Sequence, residues 1–364
     1  MISFSPSEEQ QMISKMMRQF AVEEMRKIYR QCDETGSLPP GIIQKAWEMG
    51  IVINIIPQNC GGAGETRSAV TGVLLAEELA WGDLAMTLQI LGPMLVAVPL
   101  LTAGTEAQKQ KYLPGFCGSS PPRVTAAFTE PRFNFDPNEM ETKAVLHNDE
   151  YVLDGHKCFV PLAAESDIIL VYAAENGQTQ GFLVEKTNPG VKVSEREKNM
   201  GIKALPTYEI TLQNCRIPRE NRLGAENGGD FPVLLNSSKV ALAAMAVGVA
   251  RAAYEYAREY AKQRVAFGEP IASRQAIAFM LAEMAIEIDA TRLMVWEAAW
   301  KLDKGQDATK ETSLAKFYAD DMVMQSTDRA IQVLGGHGYI REHPVELWFR
   351  NARGFAALDG IAMV

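Results

Sequence analysis

A chain of 364 residues with 47% hydrophobic composition can bury a large interior, and its length suggests two or three domains. The formal charge of −9 comes without a Lys/Arg cluster, which argues against nucleic acid and anionic membrane surfaces as partners. Five widely spaced cysteines, Cys32, Cys60, Cys117, Cys158 and Cys215, contain no CxxC pair, so a reducing compartment and no structural metal are expected.

The first ten residues, MISFSPSEEQ, lack a basic region followed by an apolar run. Residues 90–101 form the most apolar stretch, but Gly92, Pro93 and Pro99 break it, and it is shorter than the roughly 20 residues of a membrane span. We expect a soluble, cytoplasmic protein. Residues 1–118 read as a helical domain that opens on a capping box, with Ser5 as cap, Pro6 at the first helical position and Glu8 reaching back. Met12, Ile13, Met16, Met17 and Phe20 follow at helical spacing as a core-facing stripe. Helices resume in "GIIQKAWEMGI" and "AVTGVLLAEELAWGDLAMTL".

Between 119 and 228 the texture changes to β-branched and aromatic runs separated by turn residues. "EYVLDGHKCFV" reads as two strands around Asp154-Gly155, "DIILVYAAENGQTQGFLVEK" as two around Asn176-Gly177, and "TYEITLQNCRI" as another. Residues 229–364 return to the helical period in segments 233–264, 272–304 and 309–334, lengths that suit a bundle. The order is helices, sheet, helices, an α+β architecture.

Several chemistries fail on spacing. "GGAGET" (61–66) lacks the Gly-Lys-Ser/Thr of a phosphate loop, no GxGxxG follows a strand, and no GxSxG elbow occurs. The four histidines show no metal-ligand spacing. Two stretches stay open. "QVLGGHGY" (332–339) reads equally as a helix stop or as a glycine turn that lets amides approach a pyrophosphate. "KQRVAFGEPI" (262–271) sets Arg264 and Phe267 three apart near a helix end, as a ligand contact or as plain packing.

Taken in order, "AEELAWGD" (76–83), "AAFTEP" (126–131), "LDGHKCFV" (153–160), "FLVEKTNPGVKV" (182–193), "NMGIK" (199–203), "YAKQRVAFGEPIASRQAI" (260–277), "LAEMA" (281–285) and "AIQVLGGHGYIREHPVELWFRNAR" (330–353) resemble the acyl-CoA dehydrogenase family almost end to end. The resemblance implies an N-terminal helical domain, a middle β-barrel or sandwich domain and a C-terminal four-helix bundle. It also implies bound FAD, an acyl-CoA substrate, an electron-transfer flavoprotein as oxidant and a homotetramer working in fatty or other carboxylic acid metabolism. Phe128, Thr129 and Phe159 fall where relatives meet the flavin ring. Arg264, Phe267, Gln275, Gln332, Gly335 and Gly336 fall where they reach the diphosphate and adenosine, partly across a subunit interface. Asp359 matches the catalytic glutamate, one methylene shorter, and Asn236, Lys239 and Gly360 are implied at the substrate.

That role suits an acid. Dehydrogenation removes an α proton and a β hydride, so a carboxylate must sit over the α carbon opposite flavin N5. Among Phe355, Leu358, Ile361 and Met363, Asp359 is expected to be desolvated and therefore more basic. The sequence also departs from the family pattern: "RFNFD" (132–136) replaces a small-residue loop, and Pro161 replaces a threonine expected near flavin N5. Those departures leave two alternatives, an enoyl-CoA reductase or elimination on an unusual acyl-CoA, and a catalytically silent FAD- or CoA-binding subunit.

Overall fold

The computed structural model describes residues 5–64 and 67–364; the last two residues of the glycine-rich stretch 61–66 lie outside it, as do residues 1–4. Helix α1 (Glu8–Phe20) is capped by Ser7, not Ser5: Ser7 Oγ accepts from Gln10 N–H, and Gln10 Oε1 accepts from Ser7 N–H. Both serines have a side chain three residues on that can reach back, so the local pattern did not separate them. The methionine stripe is wider than the face it buries. Met17 and Phe20 are buried, whereas Met12 and Met16 are exposed.

Six further helices follow: α2 (Tyr29–Thr35), α3 (Ile42–Glu48), α4 (Ala69–Gly82), α5 (Leu84–Ile90), α6 (Met94–Ala103) and α7 (Glu106–Tyr112). Asp83 ends α4 and caps α5 through Met86 N–H, and its burial pushes the carboxyl up to about 6.

The middle of the chain forms β1 (Val124–Ala127), β2 (Lys143–His147), β3 (Glu150–Pro161), β4 (Ile168–Glu175), β5 (Gln178–Glu185), β6 (Val191–Arg196) and β7 (Thr207–Pro218), in one mixed sheet. The order is β1-β4-β2-β3-β7-β6, with β5 also on β4. Asn176-Gly177 is the expected hairpin turn, both residues at positive φ. Asp154-Gly155 is not a turn: β3 runs through it, with a register shift against β7 between Leu153 and Gly155. A side chain at Gly155 would strike Thr142 Cα at 2.6 Å, so the glycine here serves a close backbone approach.

From Phe231 the chain is helical again, in α8 (Phe231–Gln263), α9 (Gln275–Asp303) and α10 (Thr309–Leu334), followed by the short α11 (Gly336–Tyr339) and α12 (Val345–Ala352). Asp230 caps α8, and Pro232 lies in its first turn, where a missing N–H costs nothing. Gly248 lets α8 press against α4, since a Cβ there would lie 2.3 Å from Glu77 O. Among the described residues α8 alone has the length and hydropathy of a membrane span, and 89% of its most apolar window is buried inside the protein.

Candidate active site

The segment after α12 turns sharply at Gly360, where φ is +72°. The turn sends Phe355, Leu358, Ile361 and Met363 into the core and leaves the Asp359 side chain 43% exposed. This corrects the expectation of a desolvated acid. The carboxylate faces solvent and Lys316, whose Nζ lies 3.5 Å from Asp359 Oδ1 and donates to Phe355 O at 2.9 Å and Asp320 Oδ2 at 2.7 Å.

Five of the other expected residues, Thr129, Gly360, Phe128, Phe159 and Lys239, gather around this segment. Thr129, just past β1, donates its hydroxyl to Asp359 O at 3.0 Å. Gly360 rests on the ring of Phe128, which is itself fixed by Tyr172, Phe135 and Phe231 at centroid distances of 5.3, 5.9 and 6.1 Å. Behind this backbone Lys157, fully buried, donates to Phe128 O at 3.1 Å and Glu130 Oε1 at 3.0 Å. Burial pulls the Lys157 ammonium down to about 8. Burial pushes Glu130 up, but Lys157 and the amides of Glu141 and Thr142 carry its carboxyl below the ordinary value. Phe159, half-buried at φ +53°, donates its N–H to Glu197 Oε1 at 3.2 Å and shares a cavity of about 180 Å³ with Gly354 and Leu358 of the Asp359 segment. Pro161 offers only its carbonyl, which accepts from Thr125 Oγ1 at 2.5 Å.

A second group forms elsewhere. Arg264 ends α8, and a two-residue hairpin (Val265–Ala266 against Glu269–Pro270) carries Phe267 at its tip, 96% exposed. Arg264, Phe267, Gln332, Gly335 and Gly336 line one cavity of about 640 Å³, with Arg274 and His337. Both glycines face open space, and the Gly335 backbone at φ +58°, ψ −130° suits glycine alone. Two guanidiniums, of which Arg274 pairs with Glu269 at 3.0 Å and lies 5.8 Å over the exposed Phe267 ring, together with that ring and bare glycine backbone, fit a dinucleotide's diphosphate and adenine. Gln275 opens α9 between the lining residues Arg274 and Ile277 and does not itself line the cavity. No residue of the Asp359 group lines this cavity.

The two implied substrate residues on α8 behave differently. Asn236 is buried, with its Nδ2 donating to Thr309 Oγ1 at 3.1 Å and its Oδ1 accepting from Thr312 at 2.8 Å. Its amide ties α8 to α10 and keeps one N–H and one oxygen lone pair beyond these two bonds. Lys239 donates to Ser313 Oγ at 3.0 Å; burial lowers its pKa while Asp359 raises it, which sets Lys239 beside the acid. Sequence reasoning missed Lys316 and Asp320. The available signal was an opposite-charge pair, i and i+4, beside Ala315, Ala319 and Met322 on the buried stripe of α10.

The helix, sheet, helix order, with an acid-bearing turn seated on β1 and a dinucleotide-sized cavity at the α8–α9 turn, defines a class of cofactor-dependent oxidoreductase. Three models of one family match the chain: acyl-CoA dehydrogenase N-terminal domain over residues 7–119, middle domain over 125–215 and C-terminal domain over 233–363. The chain is 36% identical to the caffeyl-CoA reductase–Etf complex subunit CarC of Acetobacterium woodii, with 98% of this chain and 96% of that one covered. It is 35% identical to the 3-(aryl)acrylate reductase of Clostridium sporogenes, with the same coverage. Butyryl-CoA dehydrogenase from Megasphaera elsdenii superposes with a TM-score of 0.88 at 31% identity, covering 97% of this chain and 95% of that one. The chain belongs to the acyl-CoA dehydrogenase family, flavoprotein oxidoreductases acting on CH–CH bonds.

Proposed function

We propose that the protein is an FAD-dependent acyl-CoA dehydrogenase in which Asp359 takes the α proton of an acyl-CoA thioester. The observation that carries this reading is the seat of the Asp359-Gly360 turn on Thr129 and Phe128, the residues expected at the flavin ring. FAD, held through Phe128, Thr129 and Phe159 at one end and Arg264, Phe267, Gln332, Gly335 and Gly336 at the other, supplies the hydride acceptor. Thr129 and Phe128 fix the backbone of the base, and Lys316 orients its carboxylate. The β strands behind them are braced by the Lys157–Glu130 pair. The α C–H bond breaks toward an Asp359 carboxylate oxygen, and the electron pair stays on carbon.

That the two groups of cofactor residues line no common cavity supports completion of the site by a second subunit in a homotetramer. The outward apolar residues Phe279, Ile286 and Leu293 of α9 and Phe317 of α10 suit such packing. An electron-transfer flavoprotein is the proposed redox partner, supported by the Etf complex of the A. woodii relative. A cytoplasmic location is supported by five free cysteines.

A second reading, the enoyl-CoA reductase direction, is favoured by the two reductases among the relatives. Anaerobic titration of the yellow protein separates the readings. Bleaching by saturated thioesters supports dehydrogenation, and reoxidation of the reduced protein by aryl-enoyl thioesters alone supports reduction. Asp359→Asn is expected to abolish exchange with either while retaining FAD; unchanged kinetics in that variant would refute the role of Asp359.

A further inference from the structure

The acid at the turn is not held by the turn alone. On α10, Lys316 and Asp320 stand one helical step apart, and Lys316 Nζ is a three-way junction: Asp320 Oδ2 at 2.7 Å, Phe355 O at 2.9 Å and Asp359 Oδ1 at 3.5 Å. Lys316 is nearly buried, so its charge is weakly screened and its geometry tightly fixed. The bond to Phe355 O pins the start of the very segment whose turn carries Asp359. Asp320 spends one oxygen on Lys316, while its other, Oδ1, is buried without a partner. A carboxylate kept in that condition contributes poorly to stability, since a half-satisfied buried charge is costly. Its position beside a second carboxylate sharing the same ammonium points to a use in the site.

We propose that Lys316 and Asp320 are positioning residues for Asp359: Lys316 seats the Asp359 carboxylate and anchors its segment, and Asp320 neutralises the ammonium so that the seat does not hold Asp359 back from a proton. This rests on the reading of Asp359 as the base.

The electrostatics follow from charge count. With Lys316 alone, a neighbouring cation would favour the ionised acid and weaken it as a base. With Asp320 on the closer side of the ammonium, the trio of Asp320, Lys316 and Asp359 carries one net negative charge. It becomes neutral when Asp359 accepts the substrate's α proton, which favours that transfer. Burial pushes Asp320 up to about 6, and Asp359 is among the groups that raise it. The other charges facing this point are Asp321 on α10, Lys239 on α8 and Asp136 in the 132–136 loop, and they are the same in every variant below.

The test is the pH profile of flavin reduction in the FAD-loaded protein, together with carboxyl ¹³C NMR titration of aspartate-labelled protein, in which Asp359→Asn assigns the Asp359 signal. Asp320→Asn keeps the shape and removes the charge. It is expected to move both the acid limb of the rate profile and the Asp359 titration to lower pH by about one unit, and to lower the plateau rate about 10-fold. Lys316→Met is expected to move both in the opposite direction, and Lys316→Arg to restore the wild-type profile in part. FAD content and far-UV circular dichroism report whether each variant has folded. Should Lys316→Met not fold, Asp320→Asn and Lys316→Arg decide. A well-folded Asp320→Asn protein whose profile and Asp359 titration superimpose on the wild type would overturn the inference. Full activity in Asp359→Asn would instead overturn the assignment of the base, a result distinguishable from the first.

Discussion

Gly360 is the position where the structure makes the sharpest demand. Gly360→Ala places a Cβ 2.2 Å from Phe128 Cγ and 2.4 Å from Cδ1, on a backbone at φ +72°. An L-residue in that region costs about 1–2 kcal/mol before any contact is counted. The ring cannot easily withdraw, because Tyr172 and Phe135 meet it edge-on and Phe231 lies nearly parallel to it, 22° away. The turn must therefore lift by roughly 1 Å to restore van der Waals contact, and overpacking of this kind costs a further 1–3 kcal/mol or so. The lift moves the backbone that Thr129 holds through Asp359 O. Misplacement of a catalytic group by about 1 Å is worth on the order of 100-fold in rate. Stopped-flow flavin reduction by a saturating acyl-CoA should accordingly fall by about two orders of magnitude. Flavin content read alongside reports any change at Phe128 and Thr129, since the α8–α9 cavity is untouched. A reduction rate within twofold of the wild type would refute the argument that this contact sets the position of the acid.

Arg264→Ala removes one of the two guanidiniums lining the cavity proposed for the FAD diphosphate and is expected to weaken FAD retention about 10-fold, read as flavin content after gel filtration; full occupancy would remove Arg264 from the site. Asp83→Asn keeps the cap on Met86 N–H and removes a buried charge. Because the folded carboxyl is raised to about 6 from its usual value near 4, the protonated form is the one the fold prefers. Its stabilising contribution is present below the unfolded pKa and is lost as pH rises through about 6, so the variant should be more stable at pH 7.5 by about 2–3 kcal/mol. That gain should vanish below pH 4 in denaturant titrations, and an equal gain at both pH values would refute the assignment.

The long elements were legible because their signals are periodic. The segments 233–264, 272–304 and 309–334 match α8, α9 and α10 to within three residues at each end, since caps and breakers stand where the apolar stripe stops. Asp154-Gly155 misled because a glycine that admits a neighbouring backbone and a glycine that turns the chain look alike in sequence, and only the tertiary contact with Thr142 distinguishes them. The residues that the resemblance implies at the cofactor include Arg264, Phe267, Gln332, Gly335 and Gly336, which the structure brings together in one cavity across about 70 residues of chain. The exposure of Asp359 was not legible. Its apolar neighbours in sequence suggested burial, but the chain around the left-handed Gly360 buries Leu358 before it and Ile361, Ala362, Met363 and Val364 after it while leaving the Asp359 side chain partly outside. The tie of Asn236 to Thr309 and Thr312, one helix away, was not legible either, because nothing in the sequence sets those two helices face to face.

On the proposed role of Asp359, an aspartate in place of the family's glutamate must recover the length of one methylene, and the surroundings of the turn bear on where. Its backbone is fixed at three points, by Thr129 on Asp359 O, by Phe128 under Gly360 and by Lys316 on Phe355 O, and the short side chain already reaches Lys316. We expect the compensation in the main chain that these contacts fix, rather than in the side chain. Asp359→Glu is therefore a discriminating substitution. On an advanced backbone the longer acid overshoots by about 1 Å, loses its approach to Lys316, and should reduce flavin about 10- to 100-fold more slowly than wild type, with FAD content unchanged. On a backbone that has not moved, glutamate would restore the family's reach and the rate would rise. A faster Asp359→Glu enzyme in single-turnover reduction would thus show that the three contacts hold the turn without advancing it.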